Sequence, residues 1–316
     1  MKFLIYGAGA LGQALGCLLK STGHDVDFIL RQRFIPSLLQ YGLQVTGIFG
    51  SYSVSLHPSH LFEETSRVSN RSYDYVLLTT KAYDTSKAIK ELVQISNQFK
   101  HIVSMQNGCG NVEQLEAFFG SEKALGARVI TGFEITSPGQ VEITVSADAI
   151  HVGSCIHGVI PQAAEKLAEI ITAAGHPCLA VEDIYRSLFT KLLYNCTLNP
   201  LGAVLGVHYG KLAERQETRQ IMTRIIEETY AVILALGGKT DWPDAESYKQ
   251  AFFEKLIPAT SNHRPSMLQD LENHKPTEID ALTGYVSLQG RRHNIPTPTC
   301  DLLSCLVKFK ECSFSA

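Results

Sequence analysis

The chain has 316 residues, 45% of them hydrophobic and 19% charged, with 28 basic and 31 acidic side chains for a net charge of −3. At roughly 150 residues per domain, this length suggests about two domains, with cores large enough to need no disulfide or metal. The balance excludes a mostly disordered chain and argues against broad nucleic-acid binding, while leaving room for a local basic pocket that holds one phosphate.

Lys2 to Tyr6 is a short apolar run that reads as a buried strand. One basic residue, an apolar run and small residues also resemble an export signal, but the run is short and Gly7, Gly9 and Gly12 break it. Ala10 to Thr22 suits a helix capped by Gly23, and Asp25 to Leu30 suits a second strand. Leu43 to Leu56, with β-branched and aromatic residues around Gly47 and Gly50, predicts a hairpin. Tyr73 to Thr79 is another strand, Thr85 to Phe99 a helix, and His101 to Gln106 the next strand. From Leu125 to Val152 the pattern turns β-rich, then a helix at 162–174 precedes a short strand at Cys178 to Val181.

After Ile184 the chain reads as almost wholly helical, ending in a helix from about Asp301 to Cys312. Strands separated by helices imply βαβ units and a parallel sheet. The expected architecture is α/β: an N-terminal Rossmann-type doubly wound parallel sheet over 1–184, followed by an all-helical domain over 185–316. No apolar run reaches the length of about 18 residues that a membrane span needs. The eight cysteines show neither a CxxC pair nor zinc-ligand spacing, so no metal site is expected, and reduced thiols in a cytoplasmic setting are. Cys300, Cys305 and Cys312 suit one helix face.

Gly7-Ala8-Gly9-Ala10-Leu11-Gly12 is a GxGxxG run. It follows a strand and opens a helix, the context in which the pattern marks a dinucleotide site. Gly7 permits the tight turn, Gly9 admits the pyrophosphate, and Gly12 lets helix and strand pack closely. An NAD site usually carries Asp or Glu at the end of the second strand, whereas this chain has Leu30-Arg31-Gln32-Arg33. A guanidinium suits a 2′-phosphate, so NADPH is the expected cofactor, with Arg31 the first candidate and Arg33 the second.

Lys81 and Asn107 sit at the ends of two further strands, where doubly wound sheets bind ligands. A surface lysine and an Asn-Gly turn are the plainer readings. Lys191, Asn195 and Asn199 are spaced by four among Leu192, Leu193, Cys196 and Leu198, so they form a polar stripe on one face of an apolar helix. Such a stripe is costly to bury unless satisfied, either by helix–helix hydrogen bonds or by a bound ligand. Pro276 or Thr277 suits a helix start, with Glu278 in the first turn, where the helix dipole explains a carboxylate as well as catalysis does.

These motifs together resemble the ketopantoate reductases (2-dehydropantoate 2-reductases). The resemblance runs in order through Gly7–Gly12, Arg31, Thr80-Lys81-Ala82, Gln106-Asn107-Gly108, Lys191 to Leu201, Ser266 to Asp270 and Thr277 to Asp280. It implies a Rossmann domain followed by a helical domain, and NADPH-dependent reduction of ketopantoate to pantoate on the route to pantothenate and coenzyme A. By the same resemblance Lys191 is the general acid, and Asn195, Asn199 and Ser266 bind substrate. Lys81 and Asn107 contact cofactor and substrate, and Glu278 places a carboxylate near both. Arg264-Pro265 departs from the small polar residues of several relatives, and residues 131–147 match no substrate role. A reductase of another 2-oxo acid on the same scaffold is the alternative, with a non-catalytic NADP(H) sensor behind it. The expected partner is a small 2-oxo acid, not nucleic acid or membrane, and a homodimer is left open.

Overall fold

The structure, a computed structural model, describes residues 1–68 and 70–312. It divides into two compact units, one of residues 1–107 with 111–184 and one of residues 108–110 with 185–316.

The first unit runs β1 (Lys2–Tyr6), α1 (Ala10–Ser21), β2 (Asp25–Ile29), α2 (Ile35–Tyr41), β3 (Leu43–Gly47), β4 (Tyr52–Val54), β5 (Leu61–Phe62) and β6 (Tyr73–Leu78). It continues with α3 (Thr85–Val93), β7 (Phe99–Ser104), α4 (Asn111–Phe119), β8 (Ala124–Arg128), β9 (Thr131–Ser137), β10 (Gln140–Ser146), β11 (Ile150–Ser154), α5 (Gln162–Ala173) and β12 (Cys178–Ala180). Eight strands form one sheet in the order β12-β11-β8-β7-β6-β1-β2-β5. Every neighbouring pair is parallel except β11 with β8. Side chains alternate across a strand, so β1 feeds two cores. Phe3 and Ile5 pack with Leu15 and Leu18 of α1 and Leu167 of α5. Leu4 and Tyr6 pack with Ile89 and Leu92 of α3 and Leu115 of α4. That double burial is why these strands read as continuous apolar runs. Burying a leucine such as Leu18 fully contributes about 1.5–3 kcal/mol.

A second sheet has the order β4-β3-β10-β9. The hairpin expected near residue 43 is its β3–β4 pair. Residues 131–147, which carried no expected role, supply β9 and β10. Val141 and Ile143 join Val45 in the core under α1. Buried His176 pins this sheet: Thr131 Oγ1 lies 3.1 Å from Nε2, and Nδ1 donates to the Pro177 carbonyl at 3.0 Å.

The helix expected to reach Phe99 stops at Val93. The polar Ser96–Gln98 turn intervenes, and Phe99 opens β7 opposite Tyr73, where its ring meets Phe119 at 5.5 Å. Burial in the sheet outweighs helical continuation there.

The second unit is built from α6 (Ile184–Leu205), α7 (Tyr209–Ala213), α8 (Gln216–Ala235), α9 (Ala245–Ala251), α10 (Ile257–Ala259), α11 (Ser266–Glu272), α12 (Thr283–His293) and α13 (Pro298–Cys312). Pro200 lies inside α6 and lacks the N–H that would bond the Cys196 carbonyl. Glu228 of α8 accepts from the backbone N–H groups of Thr299 and Cys300, both at 2.9 Å, and so caps α13. No helix begins at 276 or 277; a short 3₁₀ turn at Ile279–Ala281 precedes α12 instead. Nor do the three cysteines of α13 share a face. Cys300 is buried while Cys305 and Cys312 are exposed, because five residues turn a helix by about 140° and seven nearly close two turns. Among the described residues no helix is long and apolar enough to cross a membrane.

Candidate active site

Strands β7, β6, β1 and β2 lie side by side and parallel, so their C-terminal ends share one edge of the sheet. Asn107, Lys81, the Gly7–Gly12 loop and Arg31 follow those ends in that spatial order. The sequence therefore brings four of its candidate positions to the edge where such sheets bind ligands.

The loop is held from both sides. The Gly7 N–H donates to the Ile29 carbonyl at 2.9 Å, and the Thr79 hydroxyl donates to the Gly7 carbonyl at 2.8 Å. Gly7 has φ +115°, a region that glycine enters readily. A side chain at Gly12 would overlap the Gly7 carbonyl oxygen. At Gly9 an added Cβ would meet no atom within 4 Å, so the loop is open on that side. Gly9 also caps the 12-residue α1 without a side-chain bond, leaving the helix N–H groups for a ligand. An open backbone beside positively polarised N–H groups fits a dinucleotide pyrophosphate. Gln13, buried behind it, donates from Nε2 to the Ala8 carbonyl at 2.8 Å.

Beyond β2 the Arg31 side chain is 65% exposed, and its Nη2 lies 3.5 Å from Asp84 Oδ2. Arg33 stacks over the Phe34 ring at 4.9 Å. The loops bearing Lys81 and Asn107 are joined by a buried polar chain. Gln106 Nε2 donates to the Lys81 carbonyl at 3.3 Å and to Thr85 Oγ1 at 2.9 Å. Thr85 donates to Asn111 Oδ1 at 2.9 Å, and Asn111 Nδ2 donates to the Asn107 carbonyl at 3.0 Å. This chain fixes both backbones while the Lys81 and Asn107 side chains stay half-buried.

In the second unit Lys191, Asn195 and Asn199 all lie on α6, one turn apart. Lys191 is half-buried; Asn195 is 9% exposed and Asn199 5%. The Tyr209 hydroxyl donates to Asn199 Oδ1 at 2.9 Å, which leaves the amide's N–H donors for other use. Hydrogen bonding from α7 thus accounts for Asn199.

One turn beyond Asn199, an added Cβ at Gly202 would come within 2.6 Å of Pro265 Cγ, so only glycine lets α6 approach the residue before Ser266. The Tyr209 and Gly210 N–H groups donate to His263 and Ser261 carbonyls at 3.2 and 2.9 Å, tying that segment to α7. Ser266 opens α11 and is exposed; Arg264 pairs with Glu272 at its other end. Glu278 is 7% exposed and sits just before the 3₁₀ turn without capping it through its side chain. The capping explanation for this carboxylate does not hold. The neighbouring Thr277 N–H donates to Glu311 Oε1 at 2.6 Å.

Thr79, Gln13, Thr85, Asn111 and Tyr209 were not singled out from the sequence. Only a threonine or asparagine at the head of a helix, as Thr85 and Asn111 are, gives a local signal.

The family Ketopantoate reductase PanE/ApbA matches residues 3–156, and Ketopantoate reductase PanE/ApbA C terminal matches residues 183–311. Among solved structures, a PanE/ApbA family ketopantoate reductase from Ralstonia eutropha JMP134 has a TM-score of 0.86 at 26% identity over 100% of both chains. A D-mandelate dehydrogenase with NADH and anilino(oxo)acetate has a TM-score of 0.85 at 25% identity, again over 100% of both chains. A 2-dehydropantoate 2-reductase of Aquifex aeolicus (strain VF5) is 36% identical over 98% of this chain and 97% of its own length. Agreement of that extent, with family matches in both halves, makes the chain a member of the ketopantoate reductase family.

Proposed function

We propose that the chain reduces 2-dehydropantoate to pantoate with NADPH, on the route to pantothenate and coenzyme A. The observation that carries this reading is the face of α6, where a lysine and two largely buried asparagines stand one turn apart on an apolar helix. Gly7 to Gly12 take the pyrophosphate, Arg31 the 2′-phosphate, and Lys81 and Asn107 the rest of the cofactor. When bound, the reduced nicotinamide supplies a hydride to the C2 carbonyl carbon. Negative charge then grows on the carbonyl oxygen. The Lys191 ammonium stabilises that charge and delivers the proton that completes the alcohol. Asn195, Asn199 and Ser266 donate to the substrate's carboxylate and hydroxyl, holding it in a near-attack geometry. Glu278, buried and acidic, orients the groups around it. The eight free cysteines fit a reducing cytoplasm.

The test is NADPH oxidation by the purified protein with ketopantoate and a panel of 2-oxo acids, with NADH in parallel. Fast turnover of ketopantoate supports the reading; turnover confined to other acids overturns the substrate. The likeness to a D-mandelate dehydrogenase favours one alternative, a reductase of an aryl 2-oxo acid. An aryl substrate that outruns ketopantoate would establish it. Cofactor binding with no turnover of any acid would leave a dinucleotide sensor.

A further inference from the structure

We infer that Asp84 tempers the chain's preference for a phosphorylated dinucleotide, by competing for Arg31 and by offering a carboxylate to an unphosphorylated ribose. The inference rests on the reading of Arg31 given above.

Asp84 closes the 3₁₀ turn Ala82–Asp84 that runs into α3, so its carboxylate stands at the head of that helical run, where the dipole favours a negative charge. Its side chain makes no cap bond there. Its carboxylate instead lies 3.5 Å from Arg31 Nη2, with side chains 30% and 65% exposed respectively. No cap bond ties this carboxylate to α3, and the 2′-phosphate candidate meets it.

A 2′-phosphate carries close to two negative charges near neutral pH. Asp84 repels it and neutralises part of the guanidinium that should receive it. A ribose 2′-hydroxyl has the opposite need, because it donates a hydrogen bond, and NAD sites meet it with a carboxylate at the end of the second strand. This chain has arginine at that point of its sequence, and the turn after β6 brings a carboxylate beside it. The pair is partly exposed, so its bond strength is small; the sign of the charge is what discriminates.

Nicotinamide fluorescence titrations of the full chain with NADPH and NADH test this, using the parent, Asp84→Asn and Arg31→Gln. Asp84→Asn is expected to tighten NADPH about 3- to 10-fold at low salt and to weaken NADH about 2- to 5-fold. Raising the salt shrinks the NADPH gain, because the effect acts between solvated charges. An unchanged ratio of the two dissociation constants in Asp84→Asn, with an unchanged melting temperature, overturns the inference. Arg31→Gln is expected to weaken NADPH at least about tenfold. If it does so while Asp84→Asn changes nothing, the Arg31 reading stands and the Asp84 inference fails. If Arg31→Gln leaves NADPH untouched, both fall.

Discussion

The loop from Gly7 to Gly12 presents backbone, whereas the face of α6 from Lys191 to Asn199 presents side chains. The loop has its shape because glycines occupy positions where a Cβ would overlap a carbonyl or strain φ. The helix has its shape for reasons unrelated to its polar face, since Leu192, Leu193 and Leu198 are buried. A substitution in the loop should therefore alter geometry, and one on α6 should alter chemistry with the fold intact.

Lys191→Ala is the sharpest probe of that contrast. We expect kcat to fall about 10²- to 10⁴-fold, with NADPH affinity and melting temperature close to the parent's. A large drop in stability would show that Lys191 serves the fold instead. Gly12→Ala should behave in the opposite way. Its Cβ has no room beside Gly7, so unfolding in urea should show a loss of about 1–3 kcal/mol together with weaker NADPH binding. Normal binding in a stable Gly12→Ala protein would remove the argument from packing.

Tyr209→Phe keeps the ring against Tyr194 and His263 and deletes only the hydroxyl that holds Asn199. The expected loss is about 1 kcal/mol, read chiefly as a KM increase of about fivefold with a smaller change in kcat. Equal KM values would mean that Asn199 needs no such support.

The smallest effect concerns pH. Burial lowers the pKa of His176 below its ordinary value near 6.5, so the folded chain keeps it neutral. The unfolded chain binds a proton there below about pH 6.5. Stability is therefore complete above that pH and declines as pH falls beneath it, down to the lowered folded pKa. Half-buried His101 acts in the same direction. Melting curves between pH 7.5 and about 5 should slope less steeply in His176→Asn than in the parent.

The sheet was legible because its strands are buried on both faces and its turns carry glycine. Phe3-Leu4-Ile5 and Val76-Leu77-Leu78 leave little choice but a central strand. The end of α3 was not legible, because Phe99 has the apolar character of either a helix or a strand and only its pairing with Tyr73 decides. At the site, residues that repeat at a helical spacing or follow a glycine run stood out in the sequence. Tyr209 did not, since nothing in its neighbourhood reveals that its hydroxyl reaches back ten residues to Asn199. Asp84 was hidden for the same reason: its distance from Arg31 is 53 positions along the chain, and the β1–β6 and β1–β2 pairings close that gap.

The parallel pairing of β3 with β10 has a consequence for the nascent chain. Val45 finds its partner Val141 only after nearly a hundred further residues have been made. At about 5–20 residues per second, the ribosome needs on the order of 5–20 s to deliver it. During that interval the β3–β4 hairpin has one edge unpaired and Leu43 and Val45 without their final cover. An uncovered edge of this kind is where chains stick to one another. Crowded, rapid overexpression should therefore trap the protein at this step, and slower synthesis at lower temperature should raise the soluble yield.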